Sequence, residues 1–237
     1  DELNRAVYQR ALTPIGQKAD DLPVGREGVA RVQQQLADAY DALLPKLSFK
    51  ADKPFSQGVN TVRGMVRTLP RQIQSEFDDI YRTEVVGRMT PQGLMNGQSF
   101  KDAETALGQQ IRRLSIDPNR HAQQLKDAVQ ELRDQMRQGL TRANPAHAAE
   151  LKAINQGWSN YARIRDAGSR LGDKSDGFTP ADLLGAVRKN DRSVGKGQFA
   201  TGRAQMQDLA DAAVSTLPNK YPDSGTTGRA MISALSA

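Results

Sequence analysis

Residues 117–172 read DPNRHAQQLKDAVQELRDQMRQGLTRANPAHAAELKAINQGWSNYARIRDAGSRLG, and the fold class can be read from this stretch. In its first half Leu125, Val129, Leu132, Met136 and Leu140 recur at steps of three or four residues. In its second half Leu151, Ile154, Trp158, Tyr161, Arg165, Gly168 and Leu171 do the same, with Ile164 beside Arg165 as an apolar substitute. Steps of three and four keep side chains on one face of an α-helix and scatter them in a strand. Asp117-Pro118 offers a capping carboxylate before a proline at the first helical position. Asn144-Pro145 interrupts the run. The stretch therefore predicts a long antiparallel αα-hairpin of about 25-residue helices.

The same spacing extends outward from it. Val29, Val32, Leu36, Ala39 and Leu43 form one series, and Phe55, Val59, Val62, Val66 and Leu69 a second. Ile73, Phe77, Ile80 and Val85 form a third, and Phe100, Ala103, Leu107, Ile111 and Leu114 a fourth. Breakers such as Pro45, Pro54, Pro70, Pro91 and Gly97 fall between the series, where helices stop or start. Ser99 with Asp102, and Thr179-Pro180-Ala181-Asp182, read as capping boxes. Aromatics make up only 5% of residues, against the composition strands favour. The expected architecture is all-α: a multi-helix bundle with long helical hairpins and a smaller C-terminal helical part. Residues 1–23 are expected as an N-terminal helix and linker, 24–172 as the bundle, and 173–237 as a basic loop with short helices.

Composition removes several kinds of chemistry. The chain has 237 residues and no Cys, so it holds no disulfide, no thiolate metal site and no thiol nucleophile. Two histidines, His121 and His147, leave little for a metal site and read as surface residues. No metal and no cofactor is expected. No run approaches 18 apolar residues, as a membrane-spanning helix requires. The sequence starts Asp1-Glu2-Leu3-Asn4-Arg5, without Met or a secretory pattern, and ends on the small apolar run 230–237. The expectation is a processed or excised piece of a longer chain, with a continuing segment after the Tyr221–Arg229 turn-rich linker.

The formal net charge is +6, from 33 Lys and Arg against 27 Asp and Glu. Most of these charges alternate along helix faces. The clear local excess is residues 188–203, RKNDRSVGKGQFATGR, with Arg188, Lys189, Arg192, Lys196 and Arg203 against Asp191 alone. Glycine and small residues would let its backbone approach a phosphate. The Walker pattern is absent, because Gly195-Lys196 is followed by Gly197 and preceded by no glycine at the required spacing. The five cations are candidate DNA-phosphate contacts. The alternative is an ordinary solvated loop whose cations cap helix C-termini. Short amphipathic helices are expected on either side, over 182–189 and 205–217.

Catalytic motifs are sparse. Glu76, Asp78 and Asp79 form one acidic cluster, with Arg82 placed to pair with Asp78, and Glu84 lies among apolar neighbours. A helical Glu beside a groove is the minimal element of a peptidoglycan lytic transglycosylase, but the aromatic and glycine motifs of such enzymes are missing. Trp158 and Tyr161 read as packing anchors on the helical seam rather than as a base-stacking platform.

Several stretches resemble one family. They are Leu3–Gly16 (LNRAVYQRALTPIG), Ala149–Trp158 (AELKAINQGW), Gly177–Arg188 (GFTPADLLGAVR), Asp191-Arg192-Ser193, Gln205–Ala210 (QMQDLA), and Pro222–Thr226 before Gly228-Arg229. Together they are similar to the large virion proteins of tailed phages and prophages known as DNA transfer or ejection proteins. The resemblance spans about residues 3–230 and is strongest over 149–229. It implies a protein held in the capsid interior or tail. Such a protein leaves with the genome, self-associates, and works with portal, tail or other ejection proteins. It also implies a meeting with the host membrane through regions outside this stretch. The family supplies no catalytic residues to carry over. The competing readings are a helical adaptor or scaffold that binds another virion or cellular protein, and a peptidoglycan-cleaving virion enzyme using Glu76, Asp78 or Glu84.

Overall fold

A computed structural model describes residues 1–171 and 177–216. The chain is all-α, with ten α-helices among those residues and one small two-stranded sheet. The helices are α1 (Glu2–Leu12), α2 (Arg26–Leu43), α3 (Lys53–Val66), α4 (Arg71–Ile80), α5 (Gly97–Ser115), α6 (Arg120–Ala143), α7 (Ala148–Gly168), α8 (Pro180–Asn190), α9 (Gly197–Ala200) and α10 (Gln207–Thr216). A π-helical turn, Tyr81–Val85, continues α4. The apolar series read from the sequence lie on helices or on this continuation, except that Leu69 and Leu171 fall just past the ends of α3 and α7, and their members are mostly buried. Leu125, Val129, Leu132, Met136 and Leu140 of α6 are each no more than 3% exposed.

The caps differ in part from expectation. Thr179 and Asp182 do form a reciprocal capping box at the start of α8. Helix α5 is instead capped by Asn96, whose side chain accepts from the Ser99 N–H. Helix α6 is capped by Asn119, which accepts from the His121 N–H, while Asp117 accepts from the Asn119 N–H and turns the chain into it. An Asx side chain bonds to a backbone N–H two or three residues on wherever the first helical turn opens. Both α5 and α6 therefore use the Asn nearest the first turn.

The chain divides into two compact units, but not at residues 23 and 172 as expected. One comprises residues 1–38 with 153–237, and the other residues 39–152. The expected hairpin of 117–172 is therefore divided between the two units. Its first helix belongs to the central unit, and most of its second belongs to the unit built from both chain ends. A periodicity of 3.6 identifies a buried face but not the partner that covers it.

In the central unit α6 packs against α3 and α5. Strand β1 (Ser48–Lys50) runs antiparallel to β2 (Leu94–Asn96), with Phe49 opposite Met95. Phe49 is fully buried, edge-on to Phe55 at 5.1 Å and 5.7 Å from Phe100. Asn144 serves as a side-chain strand partner: its Oδ1 accepts from Ser48 N at 3.0 Å, and its Nδ2 donates to the carbonyls of Ser48 and Leu140 at 2.7 Å each. These strands were not expected from composition. Three residues are too few to show alternation.

The other unit gathers α1, the N-terminal part of α2, most of α7, and α8–α10. Its core combines Val7, Tyr8 and Leu12 of α1, Val32 and Leu36 of α2, Tyr161 and Ile164 of α7, Leu183 and Val187 of α8, and Met206 and Ala210 at α10. The Tyr8 hydroxyl donates to the Gly25 carbonyl at 3.0 Å, and burial pushes its pKa up to about 12. Asn4 exchanges two hydrogen bonds with the Phe178 backbone, at 3.2 Å each, across 174 positions of sequence. Residues 172–176 and 217–237 lie outside the described residues. With them lie the Leu217 end of the last helix, the Pro222–Arg229 turn and the apolar run 230–237.

Candidate functional site

The basic segment 188–203 is a folded knot built on Asp191. Asp191 follows the last turn of α8 and is buried to 4% exposure. Its Oδ1 accepts from the Ser193 N–H at 2.8 Å and the Ser193 hydroxyl at 2.6 Å, and its Oδ2 accepts from the Phe199 N–H at 2.9 Å. The Ser193 hydroxyl bond, with backbone N–H groups behind it, holds the Asp191 carboxyl below the usual carboxylate range. The backbone donors that a phosphate would need at this turn are thus already taken by the protein's own anion.

Two of the five candidate cations are exposed but engaged by partners within the fold. Lys196 adopts a left-handed backbone, φ 58°, after Gly195 at φ 60°. That conformation costs a non-glycine residue about 1 kcal/mol. It brings the Lys196 ammonium back onto the carbonyls of Asp191 and Lys189, the latter at 3.2 Å, where it caps the C-terminal end of α8. Lys189 pairs with Asp166 at 3.2 Å. The helix-capping reading is the right one for Lys196.

The three arginines behave differently. Arg188, Arg192 and Arg203 are all exposed and form no ion pair among the described residues. Arg188 stands over the Phe199 ring at 5.9 Å. Arg203 is fixed through its backbone N–H to the Gln198 carbonyl at 2.8 Å, and its Nε donates to Thr201 Oγ1 at 3.2 Å. Val194, between them, is 98% exposed.

Trp158 and Tyr161 are packing anchors. Their rings meet edge to face at 5.5 Å. Tyr161 is 6% exposed and donates its hydroxyl to Gln33 at 2.9 Å, while Trp158 packs against the core as a half-buried side chain. What the sequence reading missed is the polar side of the same helix. Asn160, Arg163 and Asp166 of α7 are all under 9% exposed. Asn160 donates to the Arg10 carbonyl at 2.8 Å and accepts from Gln205 at 2.6 Å. Asp166 accepts from Asn190 at 2.9 Å and from Arg165. Burial raises its pKa, but these bonds and Lys189 outweigh that and leave it below the ordinary value. Burial pushes Arg163 down, and the nearby Arg192 pushes it further, against Asp191 and Asp166. Steps of three from Asn160 to Arg163 to Asp166 were a visible signal, but polar residues at helical spacing ordinarily mark a solvated face.

The acidic candidates are each held in ion pairs. Glu76 pairs with Arg113 at 2.6 Å, Asp78 with Arg63 at 3.4 Å, and Glu84 with Arg88 at 2.6 Å. Arg82 pairs with Asp79 at 3.5 Å rather than with Asp78 as expected, because Arg63 of α3 takes the Asp78 carboxylate. His121 meets Gln124 at 3.2 Å, and His147 meets Glu150 at 3.0 Å. Both histidines are half-buried rather than surface residues. Among the described residues no group of three His, Cys, Asp or Glu side chains could hold a metal ion, and no helix is long and apolar enough to cross a membrane. Comparison with protein-family models, curated proteins and solved structures gave no match for this chain.

Proposed function

We propose that this chain is a non-enzymatic virion protein of a tailed phage or prophage. On this reading it leaves the capsid with the genome and assists DNA transfer across the bacterial envelope. One observation supports the reading above others. The stretches that resemble ejection proteins lie far apart in sequence, yet four of them meet in one core: Leu3–Gly16 through Tyr8 and Leu12, Ala149–Trp158 through Trp158, Gly177–Arg188 through Phe178 and Leu183, and Gln205–Ala210 through Met206 and Ala210. The resembling stretches thus contribute side chains to one packed core.

A chain without Cys can pass through a narrow portal as an extended polymer and refold with no cross-link to break or remake. The proposed partners are portal, tail or other ejection proteins, further copies of this chain, and packaged DNA through salt-dependent, sequence-independent phosphate contacts. The proposed location is the capsid interior or tail before infection and the host envelope afterwards. Glu76, Asp78 and Glu84 each pair with an arginine, which supports the non-enzymatic reading. Clearing of a peptidoglycan zymogram by the purified chain would overturn the non-enzymatic part. Immunodetection in gradient-purified virions tests the main reading. A fixed number of copies per particle is expected, and detection only in the lysate supernatant would reject it.

A further inference from the structure

We infer that the Asp191 knot presents Arg188, Arg192 and Arg203 as the phosphate-contacting set for a nucleic-acid backbone, and that Lys189 and Lys196 are structural. This inference rests on the proposed DNA contact and assigns it to named side chains.

Five cations in 16 residues look equivalent in sequence, but they are sorted in the fold. Lys196 spends its ammonium on two carbonyls at the end of α8, and Lys189 on Asp166. The arginines have no carboxylate partner among the described residues, and all three are rooted in the same knot. Arg188 lies over Phe199, whose N–H is held by Asp191. Arg192 follows Asp191 directly, and Arg203 is tied to Gln198, the neighbour of Phe199. Guanidinium groups bind phosphate oxygens in a two-pronged fork, and three of them on a folded support suit a repeating phosphodiester chain. An anionic membrane is the weaker candidate. Lipid docking by a loop draws on inserted apolar area as well as charge, and Val194 is the one fully exposed apolar side chain in the segment.

Counterion release makes the assignment measurable. Each phosphate neutralised on duplex DNA contributes about 0.9 to the slope of log affinity against log salt. The full chain is titrated against a fluorescent 25-base-pair duplex between 50 and 300 mM salt, beside two variants of equal charge change, Arg192→Gln and Lys189→Gln. Among the described residues Arg192 has no ion pair or side-chain hydrogen bond and faces the like charge of Arg163, so its removal is expected to leave the fold intact, which circular dichroism checks. Arg192→Gln is expected to reduce the slope by about 0.9, Lys189→Gln by less than about 0.3, and the triple change at Arg188, Arg192 and Arg203 to remove nearly all salt-sensitive binding. Equal losses for Arg192→Gln and Lys189→Gln would overturn the assignment in favour of bulk charge. Absence of binding at 50 mM salt would overturn it as well. So would binding to phosphatidylserine vesicles but not to DNA, abolished by Val194→Asp. None of these results depends on whether the chain is found in virions, so the two readings fail separately.

Discussion

Gly28 and Gly64 carry opposite expectations although both sit inside helices. A Cβ at Gly28 would lie 1.9 Å from the Pro23 carbonyl and 2.6 Å from the Tyr8 ring, both rigidly held. A Cβ at Gly64 would meet nothing within 4 Å. Helix propensity alone favours Ala over Gly by about 1 kcal/mol. Gly64→Ala is therefore expected to raise the urea midpoint, and Gly28→Ala to lower it by the equivalent of about 2 kcal/mol or more, since overpacking against backbone outweighs propensity. A second prediction concerns Asp52, which caps α3 through the Phe55 N–H and receives a two-pronged contact from Arg142 at 2.8 and 2.9 Å. The Arg142 bond, opposed by a smaller burial cost and aided by Phe55, sets the Asp52 pKa below its ordinary value. A carboxyl whose pKa is lower folded than unfolded stabilises above the unfolded value near about 4, and that contribution fades as pH falls through the folded value. The difference in urea midpoint between wild type and Arg142→Met should accordingly be present at pH 7 and shrink towards pH 3. A gap independent of pH would place the effect of Arg142 elsewhere.

At the scale of elements, Asn144 and the Thr179 box show how single side chains fix segments that propensity leaves open. Asn144 satisfies both backbone groups of Ser48 and one carbonyl of α6, so Asn144→Ala should cost about 1–3 kcal/mol, read from denaturant midpoints. Thr179→Ala removes the α8 cap and should cost about 1 kcal/mol. The helices were legible because each buries a stripe spaced by three and four, and Phe55, Val59, Val62 and Val66 show it directly. The strands were not, because Phe49 and Met95 owe their burial to neighbours brought from α3 and α5. The site was legible as a cluster of charge at 188–203. Its sorting into lysines with partners and arginines without a carboxylate partner among the described residues was not. It depends on a left-handed turn at Lys196 and on Asp191, a residue that sequence counting treats only as a diluting negative charge. Nor was the buried row Asn160, Arg163 and Asp166 legible, since its partners Arg10, Asn190 and Gln205 lie 24 to 150 positions away.

For the whole molecule, chain order and unit order differ. The central unit is contiguous, over 39–152, whereas the other joins residues 1–38 to 153–237. Closing a longer loop costs entropy that grows with its length, and distant pairings form late. Refolding should therefore be sequential. In pulsed hydrogen exchange the amides of α3, α5 and α6 should gain protection before those of α1 and α8, and simultaneous or reversed protection would contradict this order. An order of this kind suits a chain delivered end first, whose last-formed module waits for its C-terminal part to arrive. The proposal that this module travels with the genome is tested most directly by quantitative mass spectrometry of full virions against particles emptied by triggered ejection. The account predicts that peptides of this chain fall sharply in the emptied particles relative to the major capsid protein. Equal amounts in full and emptied particles, or absence from both, would contradict it.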